Sequence, residues 1–369
     1  MSVVIFIIIL LVLILVHEFG HFIIAKKSGI RVDEFGIGFP PKAKTLAVKN
    51  GTEYTLNWLP FGGFVRIFGE TPTPESISGP ESANSFVNKP KYIQASVLVG
   101  GVLFNMLLAW FLLSMMFMVG TDIALTDEER GYAENIRLVV SSVLTESPAG
   151  EIGLIAGDTI VSMESDGDIL ADLTPEDAVM FISMHSEDLI TISVDRMEGA
   201  TSYEITPQKN VIAEDKERAV LGISMGSVGF LQYSNPFVAI KEGGKFTYDL
   251  TRLVGKGISS LFLSIFTFDA DFSGVAGPIG IVSVVGEATE VGFSSLLFIT
   301  AVISINLAII NILPIPALDG GRLFFLVIEA VKGSPIRPEV ANNIHAIFFA
   351  LLILLILVVS YFDIARLFG

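Results

Sequence analysis

Four stretches of the chain, residues 3–25, 95–119, 293–313 and 344–361, are apolar around their whole circumference. Each is long enough, or nearly so, to cross a hydrocarbon layer of ~30 Å, and together they predict four membrane-spanning helices. The intervening segments are patterned differently. In 31–68 the alternation of Glu53-Tyr-Thr-Leu-Asn-Trp-Leu59, with Gly and Pro at the joints, predicts short strands in hairpins. Such an element either packs its own apolar face or lies partly in the membrane with a strand edge open to an extended peptide. Residues 70–88, rich in Pro, Ser and Glu, read as a mobile linker.

The polar stretch from about 120 to 292 has room for one globular domain. Strands are expected at 139–144, 189–195 and 201–207, a turn into a strand over 156–162, a turn and short helix over 147–154 and an amphipathic helix over 175–183. That mixture predicts an α+β module. Residues 208–245 are polar and mixed. In 246–266, Leu250, Leu253, Val254, Ile258 and Leu261 share one helical face, which suits a helix lying along the membrane. A Gly/Pro loop over 272–281 then leads into the third span. The expected fold is a multi-pass α-helical membrane protein with four transmembrane helices, a membrane-associated β-hairpin region and an inserted α+β domain. The expected divisions are 1–119, 121–225, 226–292 and 293–369.

Composition agrees, with 51% hydrophobic residues, 17% charged residues and a mean hydropathy of +0.67. The chain has no cysteine, so any metal must be held by His, Asp, Glu or water. Residues 26–94 carry nine Lys/Arg against six Asp/Glu, whereas 120–292 carry ten against twenty-eight. The positive-inside rule makes 26–94 and 314–343 cytoplasmic, and both termini and the acidic domain exterior. The acidity argues against a nucleic-acid partner.

The first span contains His17-Glu18-Phe19-Gly20-His21. On a helix this spacing sets two imidazoles one turn apart with a carboxylate beside them, a pattern suited to holding Zn²⁺ and moving a proton. Ionisable groups at membrane depth cost at least ~2.5–3.5 kcal/mol each unless paired, hydrated or bound to metal, so three in five residues need a job. The start of the chain lacks a basic run and no small-residue cleavage site precedes the motif, so the segment is expected to be retained rather than removed as a signal peptide. A third ligand is sought where Pro314 and Pro316 break the third span, just before Asp319-Gly320-Gly321-Arg322. Asp319 alone could be a helix N-cap; with the intramembrane motif it completes a His₂Asp set with an open fourth position. Asn311 could donate to an oxyanion or orient substrate, or make a structural amide bond. Asn105 is expected first as interhelical glue and second as a neighbour of the metal. His185 reads as a surface histidine and His345 as interfacial, with Asp363 and Arg366 as an exterior anchor.

With both motifs in hand, the chain resembles the site-2 protease family of intramembrane metalloproteases, in its bacterial regulator-of-sigma-E branch. The resemblance rests on His17–His21, on Asn311-Ile-Leu-Pro314-Ile-Pro316-Ala-Leu-Asp319-Gly320, on Val99-Gly-Gly-Val-Leu-Phe-Asn105 and on Ser273-Gly-Val-Ala-Gly-Pro-Ile-Gly280. Residues 139–207 resemble that branch's PDZ domain; only one such stretch is visible, where some members carry two. The resemblance implies zinc held by His17, His21 and Asp319, Glu18 as general base and later acid, and Asn311 as a substrate contact. It also implies that the 35–66 region pairs with an unwound substrate strand. The implied function is an intramembrane zinc endopeptidase of the inner membrane, acting on single-span membrane proteins already trimmed by another protease, an anti-sigma factor among them. Two rivals stay open: a zinc transporter, which would not need Glu18 as a non-ligand, and a non-catalytic receptor using the PDZ-like domain.

Overall fold

The computed structural model describes the chain apart from residues 172, 197–198, 210, 212–217, 268–276, 335 and 369. It forms two compact units: Met1–Met116 with Asn235–Gly369, and Phe117–Ser234. In chain order, α1 (Ser2–Lys27), β1 (Val32–Lys49), β2 (Thr52–Ile67), α2 (Pro74–Ser78) and α3 (Lys91–Val119) come first. Next are β3 (Thr121–Ala124), α4 (Asp127–Arg130), β4 (Glu134–Val143), α5 (Pro148–Glu151), β5 (Thr159–Ser165) and β6 (Asp168–Leu170). These lead to α6 (Pro175–Met184), β7 (Ile190–Arg196), β8 (Gly199–Ile205) and β9 (Ile223–Leu231). The chain continues with α7 (Pro236–Thr267), α8 (Pro278–Val291), α9 (Phe293–Ile312), α10 (Asp319–Lys332) and α11 (Pro338–Phe368).

Among the described residues, four helices are long and apolar enough to cross a membrane: Ser2–Lys27, Lys91–Val119, Phe293–Ile312 and Glu339–Ala365. They coincide with the four expected spans. Although α1 is apolar throughout, only Ile9, Leu13, His17, Gly20, His21, Phe22 and Ala25 are buried. That three-and-four spacing marks the face turned to protein. Val4, Ile8 and Val12 are exposed, as a side of the helix solvated by lipid requires.

The β1–β2 element is more folded than a simple hairpin. Residues 34–37 face 53–56 on one side and 63–66 on the other, which leaves 63–67 as an outer run. Its inner end packs into a cluster containing Phe22, Ala25, Val32, Ile67, Phe86, Val97, Leu98 and Leu326. Its outer part exposes Val48, Trp58, Leu59 and Phe61.

The expected linker at 70–88 is instead ordered local structure. Thr73 and Ser76 cap α2 reciprocally. Asn88 Nδ2 donates to the carbonyls of Ser76, Ile77 and Ser82. Phe86 is buried in the cluster just described. Ser, Thr and Asn can satisfy a turn-rich backbone locally, so a composition that suggests mobility also permits compact turns. A second difference lies at 272–281. Residues 272–276 lie outside the described residues, and Pro278 begins α8 instead of continuing a loop. Asp363, expected as an interfacial anchor, is buried and accepts the Gly277 and Gly280 backbone N–H groups at 3.1 and 2.9 Å. It caps α8 from a helix more than eighty residues away. The Arg366 side chain lies outside the described residues.

The Phe117–Ser234 unit is an α+β fold. Its sheet runs β3-β9-β4-β5-β7-β8, with β6 beside β5. Leu138, Val140, Ile160, Met163, Ile190, Ile192 and Val194 form the core with Ala178, Phe181 and Ile182 of α6. The expected strands and the 175–183 helix are present. β9, between β3 and β4, falls in a region read as polar and mixed. His185 is buried rather than on the surface, with Nδ1 3.1 Å from the Phe181 carbonyl and its ring against the Phe181 ring.

Candidate metal centre

Two close approaches build the site. The first is between α1 and α3. A Cβ at Gly20 would collide with the Gly100 carbonyl, and one at Gly100 would lie 2.7 Å from the Gly20 carbonyl. Only glycines let the two backbones touch this way. Residue numbers run oppositely along the crossing: His21 faces Val97, Gly20 faces Gly100, and His17 faces Asn105. The second approach follows the break after α9. Pro314 and Pro316 stop the helix, and the backbone folds through Leu313–Leu318 onto the start of α10. A Cβ at Gly320 would strike the Ile312 and Leu313 carbonyls, and one at Gly321 the Ile315 carbonyl. The turn therefore depends on this glycine pair.

Asp319 is thus the first residue of α10 rather than its cap, a position held by Leu318. Its Oδ2 lies 2.9 Å from His17 Nε2 and 3.2 Å from His21 Nε2, and the two Nε2 atoms are 3.1 Å apart. Ligands ~2.0–2.1 Å from a tetrahedral ion sit roughly 3.3 Å from one another. Both imidazoles are buried. His21 Nδ1 is 2.7 Å from the Val97 carbonyl, which can only accept, so Nδ1 carries the hydrogen and Nε2 keeps its lone pair. A Cβ at Gly101 would lie 2.5 Å from His17 Nε2 and 2.6 Å from His21 Nε2, so this glycine keeps the space before both nitrogens clear. Three donor atoms at ligand spacing, with a side chain excluded from in front of them, fit a small divalent ion. The N₂O donor set without sulfur suits zinc.

Glu18 sits between the imidazoles in sequence and points elsewhere. Its Oε2 accepts the Val65 backbone N–H at 3.1 Å, in the outer run of the β element. Glu18, His17, Asn105, Asn311 and Asp319 line one cavity of about 290 Å³. All the residues nominated from sequence therefore meet in one place.

The sequence reading underrated several neighbours. Asn105 is fully buried and its side chain reaches His17, while its interhelical bond is made by its main-chain carbonyl, which accepts from Ser304 Oγ at 2.8 Å. Arg322, one turn after Asp319, pairs with Glu70 and also donates to the Glu70 carbonyl at 3.2 Å, tying α10 to the end of the β element. His345, read as merely interfacial, has Nδ1 2.6 Å from the Pro316 carbonyl and lines the same cavity as Asp319. Only the Asp-Gly-Gly-Arg run offered a signal for Arg322; the others are contacts between distant elements.

Comparison with known proteins places this arrangement. The model of Peptidase family M50 matches residues 5–355. The zinc metalloprotease RasP of Oceanobacillus iheyensis is 31% identical over 427 residues, covering 100% of this chain and 99% of that protein. The protein of the same name from Geobacillus kaustophilus is 30% identical, covering 100% and 98%. The regulator of sigma-W protease RasP of Bacillus subtilis is 28% identical, covering 100% and 99%. With a family match across nearly its whole length and four apolar helices, the chain belongs to Peptidase family M50, the site-2 proteases resembled by its motifs.

Proposed function

We propose that the protein is an intramembrane zinc endopeptidase that cuts a peptide bond within or near the membrane span of another protein. The observation that carries this reading is the convergence of His17 and His21 of the apolar helix α1 with Asp319, whose ligand atoms lie within 4.8 Å of one another. These three would hold zinc, which when bound acts as a Lewis acid and lowers the pKa of water towards ~7. Glu18, on the same helix and on the wall of the cavity shared with His17 and Asp319, takes the proton of the attacking water and returns it to the leaving amine. Asn311, on the cavity wall, holds the substrate carbonyl.

A helical substrate hides its scissile carbonyl in its own hydrogen bonds and must unwind before it is cut. The outer run 63–67 offers an edge on which the unwound backbone is satisfied, and its Val65 N–H already reaches Glu18. The basic 26–94 segment and the site face the cytoplasm, and the Phe117–Ser234 unit is an exterior PDZ-like domain that admits trimmed substrates. Three relatives carry protease names, and one is named a regulator of sigma-W. A single-span anti-sigma factor is the substrate class this favours.

The test is cleavage, in detergent, of a tagged single-span membrane protein lacking most of its exterior part. Wild type and Glu18→Gln are compared, with zinc measured in both. Cleavage by wild type alone, with zinc retained in the variant, is expected. Equal cleavage by both would remove Glu18 from the mechanism. Zinc flux into proteoliposomes that survives Glu18→Gln would support a transporter instead.

A further inference from the structure

We propose that Asn105 is a positioning residue whose carboxamide oxygen accepts the Nδ1–H of His17 and so fixes the tautomer with a bare Nε2 towards the metal. The inference rests on the reading of His17, His21 and Asp319 as a metal centre. It starts from an asymmetry between the two imidazoles. His21 has a main-chain carbonyl, Val97, to hold its Nδ1–H at 2.7 Å. Among the described residues no main-chain carbonyl plays that role for His17; its Nδ1 faces the Asn105 side chain, with Nδ2 at 3.3 Å. A ligating His donates its second N–H to a fixed acceptor, which sets both ring orientation and tautomer.

At the other end of the same carboxamide, Asn105 Oδ1 is buried and has no hydrogen-bond partner among the described residues. His17 therefore needs an acceptor at Nδ1, and Asn105 has an oxygen without a donor. The two unmet requirements are the halves of one hydrogen bond. A half-turn of the amide joins them, because its oxygen and nitrogen are nearly equal in shape and the hydrogen-bond network decides which end faces which partner. The opposite orientation would leave Nδ1 bare and put a hydrogen on Nε2, the atom 2.9 Å from Asp319 Oδ2 and 3.1 Å from His21 Nε2. A protonated Nε2 cannot bind a metal. After the half-turn, Nδ2 takes the place of Oδ1, in a residue that lines the cavity with Glu18, Asn311 and Asp319.

The carboxamide is well placed for this task. Asn105 and Ser304 are fully buried, and the Ser304 hydroxyl holds the Asn105 carbonyl. Val97 and Asn105 lie eight residues apart on α3, so one helix supplies both acceptors to the two histidines of its neighbour.

The test uses full-length protein in detergent and two readouts, zinc affinity by chelator competition and the ¹⁵N shifts of His17 in metal-free protein. Asn105→Leu keeps the shape and removes the acceptor; it is expected to weaken zinc binding roughly 10–100-fold and to lose the Nδ1–H signature. Asn105→Asp restores an acceptor and is expected to recover both, while Ser304→Ala leaves the tautomer signature in place. Asn105→Leu that binds zinc as tightly as wild type would overturn the proposal. If Asn105→Leu does not fold, Asn105→Asp decides: a folded variant without the Nδ1–H signature overturns it, and one that keeps the signature and the zinc supports it. His17→Ala separates the two levels, since undiminished zinc binding in that variant would overturn the metal centre itself, whatever Asn105 does.

Discussion

Each of the two units holds a carboxylate in or near its interior, and the handling differs. In the Phe117–Ser234 unit, Asp158 is fully buried and answered on the spot. Arg196 Nε and Nη2 reach its two oxygens at 2.5 and 2.7 Å, and the Ile155 N–H donates at 3.0 Å. The guanidinium also donates to the Gly153 carbonyl, so the pair ties a loop to β7 and requires nothing else. In the apolar unit, Asp319 faces two imidazoles, and the nearest guanidinium, Arg322, pairs with Glu70 instead. A globular core satisfies a buried charge by building its counter-charge into the chain. The membrane core arranges several polar groups around a shared point. On the proposed reading, that point is completed by a bound ion, so the first arrangement serves stability and the second serves chemistry.

Four changes would break or sharpen that contrast. The largest effect is expected for Glu18→Gln, with cleavage falling by roughly 10²–10⁴-fold while zinc content and the folding of both units stay unchanged. Equal activity would show that the polar cluster does not work as proposed. Gly101→Val is expected next, since its side chain would occupy the space before His17 Nε2 and His21 Nε2. Zinc measured per molecule should fall sharply, with about 1–3 kcal/mol of overpacking strain at the α1–α3 crossing. Full zinc occupancy would mean that the space is not where the ion sits.

Asp158→Asn should do the reverse. It removes the charge opposite Arg196, and hydrogen exchange in β4 and β5 should report a loss of about 1–3 kcal/mol with zinc binding untouched. The smallest effect is a pH dependence in the same place. The Arg196 hydrogen bonds outweigh the opposing cost of burial and hold the Asp158 carboxyl below the usual carboxylate range. A group whose pKa is depressed by folding stabilises the native state above its unfolded value of ~3.9. That contribution should fade as pH drops below about 4 and through the lower folded value. Hydrogen exchange in the Phe117–Ser234 unit that does not speed up under acid would remove the ion pair as a stabilising element.

Much of this molecule could be read along the chain, because the main signals are periodic or local. The four spans, the strands of 139–207 and the helix at 175–183 follow from hydropathy and turn residues. The His17–His21 spacing and the proline break before Asp319 were likewise visible, and the structure brings their side chains together. What could not be read is what depends on a partner far away in sequence. β9, Ile-Ser-Met-Gly-Ser-Val-Gly-Phe-Leu, is laced with Gly and Ser and becomes a strand through pairing with β3 and β4, 80 to 110 residues earlier. Asp363 reads as an interfacial charge until α8 is folded against it. Asn105 reads as glue until His17 lies opposite. His185 is a local exception: it carries no apolar signal of its own, and the ring of Phe181, four residues before it, covers it.

The contact of Gly20 with Gly100 and Gly101 bears on how the protein meets bilayers of different thickness. A helix that tilts to suit the hydrocarbon depth swings its ends by several ångströms, but a rod leaning on a fulcrum leaves the point of contact where it was. The two imidazoles lie at that fulcrum, beside the backbone of Gly101, with His21 held by the Val97 carbonyl. The ends of α1 and α3 can follow the lipid while the position of the two imidazoles against α3 stays set by two main chains in contact.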